Sequence, residues 1–154
     1  MKNRRFSWGS RGPASALLGA SLLALFSTPA AADMTLNVEK LSSNGMEVRS
    51  LSCKLESGGF LGAVVVVGLL AKYKDDFNKC APGGAAFATK FTWKGSKTTD
   101  AQVTASSEPK QEACVAAVLK SIKPSTVEGT CTATVLTGKT AKAEAAAEAL
   151  RKKQ

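Results

Sequence analysis

The sequence predicts an α+β domain: an antiparallel sheet with two helices on one face, held by two disulfides. Three observations predict it. Segments that alternate apolar and polar residues, as half-buried strands do, recur between residues 34 and 136. Two stretches, around 60–80 and 106–124, instead place apolar residues three and four apart, as amphipathic helices do. Four cysteines, Cys53, Cys80, Cys114 and Cys131, lie among these segments and behind an export signal.

The signal occupies residues 1–32. Lys2, Arg4, Arg5 and Arg11 form a basic start, Ala14 to Phe26 an apolar centre, and Ala30-Ala31-Ala32 a small-residue cleavage site. The apolar centre is shorter than the roughly 20 residues that span a bilayer. A cleaved product is expected to be periplasmic or secreted, with no stable membrane span. No cysteine stands near the cleavage site to carry a lipid anchor. An even cysteine count in that compartment argues for two disulfides, with three possible connectivities.

The elements follow in order. Residues 34–41 alternate, with Leu36 and Val38 on one face, and predict a short strand. Asn44-Gly45 is a hairpin turn signal. Residues 46–55 predict its partner strand, with Leu51, Cys53 and Leu55 on one side. Ser57-Gly58-Gly59 breaks it. From Phe60 to Cys80 two signals compete. Val64 to Val67 favour strand, while Val66, Leu70, Tyr73, Phe77 and Cys80 form one helical stripe. The stripe predicts a helix, ended by Ala81-Pro82-Gly83-Gly84.

Residues 86–94 alternate through Phe87, Thr89, Phe91 and Trp93 and predict a strand. Lys94-Gly95-Ser96-Lys97 turns the chain into a return strand, 99–106. Ser106, Ser107 and Glu108 are expected to cap a second helix with Pro109 in its first turn. Its apolar face is Cys114, Val115, Val118, Leu119 and Ile122, and Lys123-Pro124 ends it. Residues 130–136 form a last strand, with Cys131, Ala133 and Val135 on one face. Residues 33–138 thus make a single domain, and 139–154 a basic Ala/Lys-rich tail that samples helix without packing.

The strand and helix order matches a split-βαβ pattern. In that pattern Cys80, at the end of the first helix, can meet Cys114, near the start of the second. The first and last strands of the motif run side by side, so Cys53 can meet Cys131. One feature resists the pattern. If residues 34–41 also pair with 46–55, that strand acquires three neighbours. Either the first segment lies outside the sheet or the strand order differs.

Charge narrows the partners. The chain is formally +9, and residues 1–32 carry four basic and no acidic residues, leaving +5. The segment 139–154 holds five basic and two acidic residues, so only +2 belongs to 33–138. No clustered basic face for nucleic acid is visible in that core. Arg151, Lys152 and Lys153 are the candidate contacts for an envelope polyanion.

Tyr73 and Cys80 before a Pro-Gly break, Phe91-x-Trp93-x-Gly95, Ala101-x-Val103-x-x-Ser106-Ser107, and Cys114-Val115 on a helix ending at Pro124 carry a resemblance. Over roughly residues 65–136 the chain resembles the TonB C-terminal-like domains of the AgmX/PglI type, found in myxobacterial envelope and gliding-motility proteins. The resemblance implies an envelope interaction module rather than an enzyme. Cys53 and Cys131 are not part of it. A cleavable signal in place of a retained anchor, and no proline-rich span, set the chain apart from true TonB and speak against energy transduction.

The chemistry agrees. There is no histidine, which removes Ser-His-Asp and Cys-His sites. No C-x-x-C pair exists to bind zinc or to run thiol exchange. Asp75-Asp76 reads as a solvated helix face, Glu108 and Glu112 as complements of a helix dipole, and Gly58-Gly59 and Gly83-Gly84 as breakers. Phe87, Phe91 and Trp93 read as core, and Lys90, Lys94 and Lys97 as solubilising charge. No catalytic, cofactor or metal residue is expected. The expected function is a disulfide-stabilised module that binds an envelope protein, with a free sheet edge as its docking surface. The alternative is a cationic binder of envelope polyanions through the C-terminal tail.

Overall fold

Asn44 and Gly45 both take left-handed backbone conformations, φ 49° and 70°, as a two-residue hairpin loop requires. They join β1 (Met34–Ser43) to β2 (Met46–Leu55). The computed structural model describes residues 34–57 and 61–152. The expected signal segment 1–32, Gly58-Gly59 and Lys153 lie outside the described residues. After β2 come α1 (Gly62–Lys72), α2 (Lys74–Cys80), β3 (Ala85–Lys94) and β4 (Lys97–Ser106). A 3-10 turn (Pro109–Gln111) leads to α3 (Glu112–Ser121), then β5 (Gly129–Thr137) and α4 (Thr140–Arg151).

The five strands form one antiparallel sheet in the order β1-β2-β5-β3-β4. Both helical connections skip a strand. β2 and β3 run parallel with β5 between them, and β4 and β5 run parallel with β3 between them. These are two interleaved split-βαβ units. With β5 inserted beside it, β2 has only two neighbours, β1 and β5. The three-neighbour conflict is resolved in favour of a different strand order, and β1 belongs to the sheet.

Side-chain alternation builds the main core. Phe87, Phe91 and Trp93 of β3 join Cys131, Ala133 and Val135 of β5 and Leu51, Cys53 and Leu55 of β2 on one face, all buried. α1, α2 and α3 cover that face with Val66, Leu70, Phe77, Val115 and Leu119, also buried. Gly62 starts α1 hard against the first hairpin, where a Cβ would fall 2.1 Å from the Leu55 side chain.

Three details depart from expectation. The predicted first helix is two helices, interrupted at Tyr73. Its N–H bonds to the Leu70 carbonyl (3.0 Å), an i→i−3 bond that tightens and ends α1, and its own carbonyl opens α2. No side chain caps the 3-10 turn or α3. Ser106 stays in β4 and donates to Glu112, while Ser107 accepts from the Ala86 N–H. The C-terminal tail, expected to lie unpacked, is a docked helix. Ala143, Ala147 and Leu150 of α4 close a second small core with Ala86 and Leu136. Those two residues alternate with Phe87 and Val135, so α4 covers the opposite face of the sheet.

Both expected disulfides are present. Cys53 and Cys131 are directly opposed across β2 and β5, Cα–Cα 4.1 Å. Cys80 at the end of α2 bonds Cys114 in the first turn of α3, Cα–Cα 5.7 Å.

Candidate interaction site

The best-formed cleft, about 240 Å³, lies between the first hairpin, α2 and the start of α4. Its charged and amide side chains are Glu47, Lys74 and Asn78, beside the hydroxyls of Ser42, Thr137 and Thr140. The Lys74 ammonium donates to the Asn44 carbonyl (3.2 Å), and the Asn78 Oδ1 accepts from the Gly138 N–H (2.7 Å). Glu47 binds Lys40 at 2.9 Å and also accepts from Arg49. Burial alone would raise the Glu47 pKa. The hydrogen bonds and charges of Lys40 and Arg49 outweigh it and hold the carboxyl below the ordinary carboxylate value.

Four further carboxylates are engaged in the same way. Asp76 pairs with Lys79 (2.8 Å), Glu112 accepts from Ser106, and Glu108 lies 3.7 Å from Lys142. Glu144 of α4 stands 3.5 Å from Arg49 and 3.9 Å from Lys40, so one charged network ties β1, β2 and α4 together. Among the described residues no group of three or more Cys, Asp or Glu could hold a metal ion. The Trp93 indole N–H is buried without an acceptor, within the main core.

The two sheet edges differ. β4 carries an extra residue at two places relative to β3, between Ala88/Thr89 and between Thr92/Trp93, and α3 packs along it. Bulges of this kind spoil an edge for further pairing. β1 keeps one register with β2 from Met34 to Ser43. Among the described residues no strand pairs with its outer side. It bears only two charges, Glu39 and Lys40.

The direction of the backbone groups of β1 follows from two observations. A two-residue loop closes on a hydrogen-bonded pair, here Ser43 and Met46. A Cα separation of 4.1 Å marks Cys53–Cys131 as a non-hydrogen-bonded pair. The Cys53 backbone therefore turns toward its β1 partner, Leu36. The core-facing residues Leu36, Val38, Leu41 and Ser43 accordingly bond to β2, while Asn37 and Ser42, on the other face, present N–H and C=O outward. The inward face changes parity between Val38 and Leu41, beside Ser50 of β2 with φ 49°. Met34, Leu61 and Val64, near this edge and at the start of α1, are the exposed large apolar residues among those described.

No family model matches the chain, and no curated protein or solved structure is significantly similar to it. The functional reading therefore stands on geometry. Phe87, Phe91 and Trp93 lie in the core, as expected of them. Lys90, Lys94 and Lys97 are exposed. Arg151 is engaged with Glu148 at 2.8 Å, and Lys152 caps α4. Among the described residues no helix is long and apolar enough to cross a membrane.

Proposed function

We propose that this protein is an exported, non-enzymatic envelope module that binds another protein along the outer edge of β1. The observation that carries the reading is the contrast between edges: β4 carries two extra residues and packs against α3, while β1 keeps one register with β2, has no strand on its outer side among the described residues and bears only two charges. Main-chain pairing of a partner strand supplies affinity at such an edge, and alternate side chains supply selectivity. Two disulfides suit the oxidising compartment that the signal sequence implies. The resemblance of residues 65–136 to TonB C-terminal-like envelope domains supports the same class of role.

Asn37→Pro tests it. Proline removes an outward N–H and leaves the β1–β2 ladder intact. Crosslinking in whole cells, followed by affinity recovery, is expected to join the wild-type protein to a protein partner and to lose it in the Asn37→Pro variant. Recovery that is indifferent to Asn37→Pro but abolished by salt and by cutting the chain at Gly138 would overturn the reading in favour of polyanion binding.

A further inference from the structure

We propose that the strand seated on β1 is β1 of a second copy of this chain, antiparallel about a two-fold axis between Glu39 and Lys40. Two five-stranded sheets then become one sheet of ten strands. The inference names the partner for the edge proposed above and rests on that reading.

An antiparallel self-pairing places residue i opposite a fixed partner, and opposed residues must share a face and a backbone direction. In a regular strand an axis midway between two residues fails this test, because it sets inward residues against outward ones. β1 is not regular, since its core-facing residues are Leu36 and Val38 before the parity change and Leu41 and Ser43 after it. An axis at the Glu39–Lys40 bond uses that change. It opposes Val38 to Leu41 of the second copy, and Leu36 to Ser43, all core-facing. It opposes Asn37 to Ser42, both with outward backbone groups, so that they exchange two hydrogen bonds on each side of the axis. Moving the axis by one residue sets a core-facing residue against an outward one at the centre, Val38 against Glu39 in one direction and Leu41 against Lys40 in the other.

Charge selects the same register. The axis sets Glu39 opposite Lys40 of the second copy, and Lys40 opposite its Glu39. Cross-strand pairs of opposite charge stabilise and like pairs oppose. Lys40 also holds Glu47, yet its side chain is 54% exposed. The neighbouring surface is apolar. α1 packs on β1 and β2, and its outward row is Leu61, Val64, Val65 and Gly68, with Leu61 62% and Val64 59% exposed. Gly68 has nothing within 4 Å of where a Cβ would stand. The two-fold axis leaves α1 of both copies on the same face of the joined sheet, flanking the new strand pair, where these rows leave water together.

Sedimentation equilibrium of the disulfide-bonded protein, from low micromolar to near-millimolar loading, tests the proposal. The wild type is expected to sediment as a monomer–dimer equilibrium. Glu39→Lys, which sets lysine against Lys40 twice, is expected to weaken the dimer about tenfold. The pair N37D/S42K, which sets Asp against Lys on both sides of the axis, should strengthen it, and N37K/S42K should weaken it. Residues 37, 39 and 42 are exposed, so all variants should keep the near-ultraviolet circular dichroism of the wild type. A monomer at every loading overturns the proposal, as does a dimer indifferent to Glu39→Lys and to both 37/42 pairs. If the protein is monomeric but still recovers a different protein in an Asn37-dependent way, the second copy is excluded and the edge reading survives. If no Asn37-dependent binding of any kind is found, both fail.

Discussion

Cys53 and Cys131 are buried, 1% and 2% exposed, between two strands, whereas Cys114 stands exposed on the first turn of α3. Thiol exchange requires a sulfur that the attacking thiolate can reach. Under graded reductant the 80–114 bond is expected to open first and 53–131 only with unfolding. Differential alkylation and mass spectrometry check this, and simultaneous opening would refute it. Glycine is required at 129 for a backbone reason. Its φ is 146°, and a Cβ there would sit 2.2 Å from the Lys54 carbonyl oxygen. Gly129→Ala should cost about 3 kcal/mol in denaturant unfolding. Glu47 supplies a pH dependence. Its carboxyl is held below the unfolded value of 4.5, so its contribution to stability is fully present above that pH. It is lost as pH falls through the lower folded value. Glu47→Gln should therefore flatten the acid limb of the stability–pH curve and lower stability at neutral pH.

At the scale of elements, β3 and β5 were legible because each alternates: Thr89, Phe91, Cys131 and Ala133 are buried, while Lys90 and Thr132 between them are exposed. The Phe60–Cys80 segment was legible as helix, because its stripe of Val66, Leu70, Phe77 and Cys80 outweighed the β-propensity of four valines. The break at Tyr73 was not, because it arises from one tightened turn and leaves the stripe unbroken. α4 was misread for a reason of size. Its inward row is Ala143, Ala147 and Leu150, and two alanines make little apolar contrast against their Ala-rich surroundings. Small side chains are what let the helix lie close on Ala86 and Leu136, while Glu144 reaches Arg49. Leu150→Ala should cost about 2 kcal/mol, and Leu150→Asp should undock the helix. Hydrogen exchange is expected to rise along α4 and leave the β3 amides protected. If β3 exchange rises equally, α4 is part of the main cooperative unit rather than a cover for the second core.

At the scale of the molecule, the two disulfides staple complementary parts. One joins two neighbouring strands of the sheet, and the other joins the two helices that cover it. Their loops span 78 and 34 residues, and closing loops of this size stabilises a fold by roughly 4 kcal/mol each in the chain-entropy view. For a domain of this size that is a large share of its net stability, which is of order 5–15 kcal/mol. Full reduction should lower the melting temperature sharply, and the Cys53→Ala/Cys131→Ala variant should melt below the wild type by more than 10 °C.

Read alone, the sequence carries the class of fold, its five strands, the helical character of the two segments between them, and the approach of Cys80 to Cys114. Each of these follows from local periodicity, turn chemistry or the ends of consecutive elements. Only the tertiary structure decided that β5 runs between β2 and β3, that β1 is an edge, that its parity changes at its middle, and that α4 closes the back of the sheet. Those depend on which surfaces are left uncovered once the others have packed. Strand order and edge exposure are properties of the assembled sheet, and no single segment carries them.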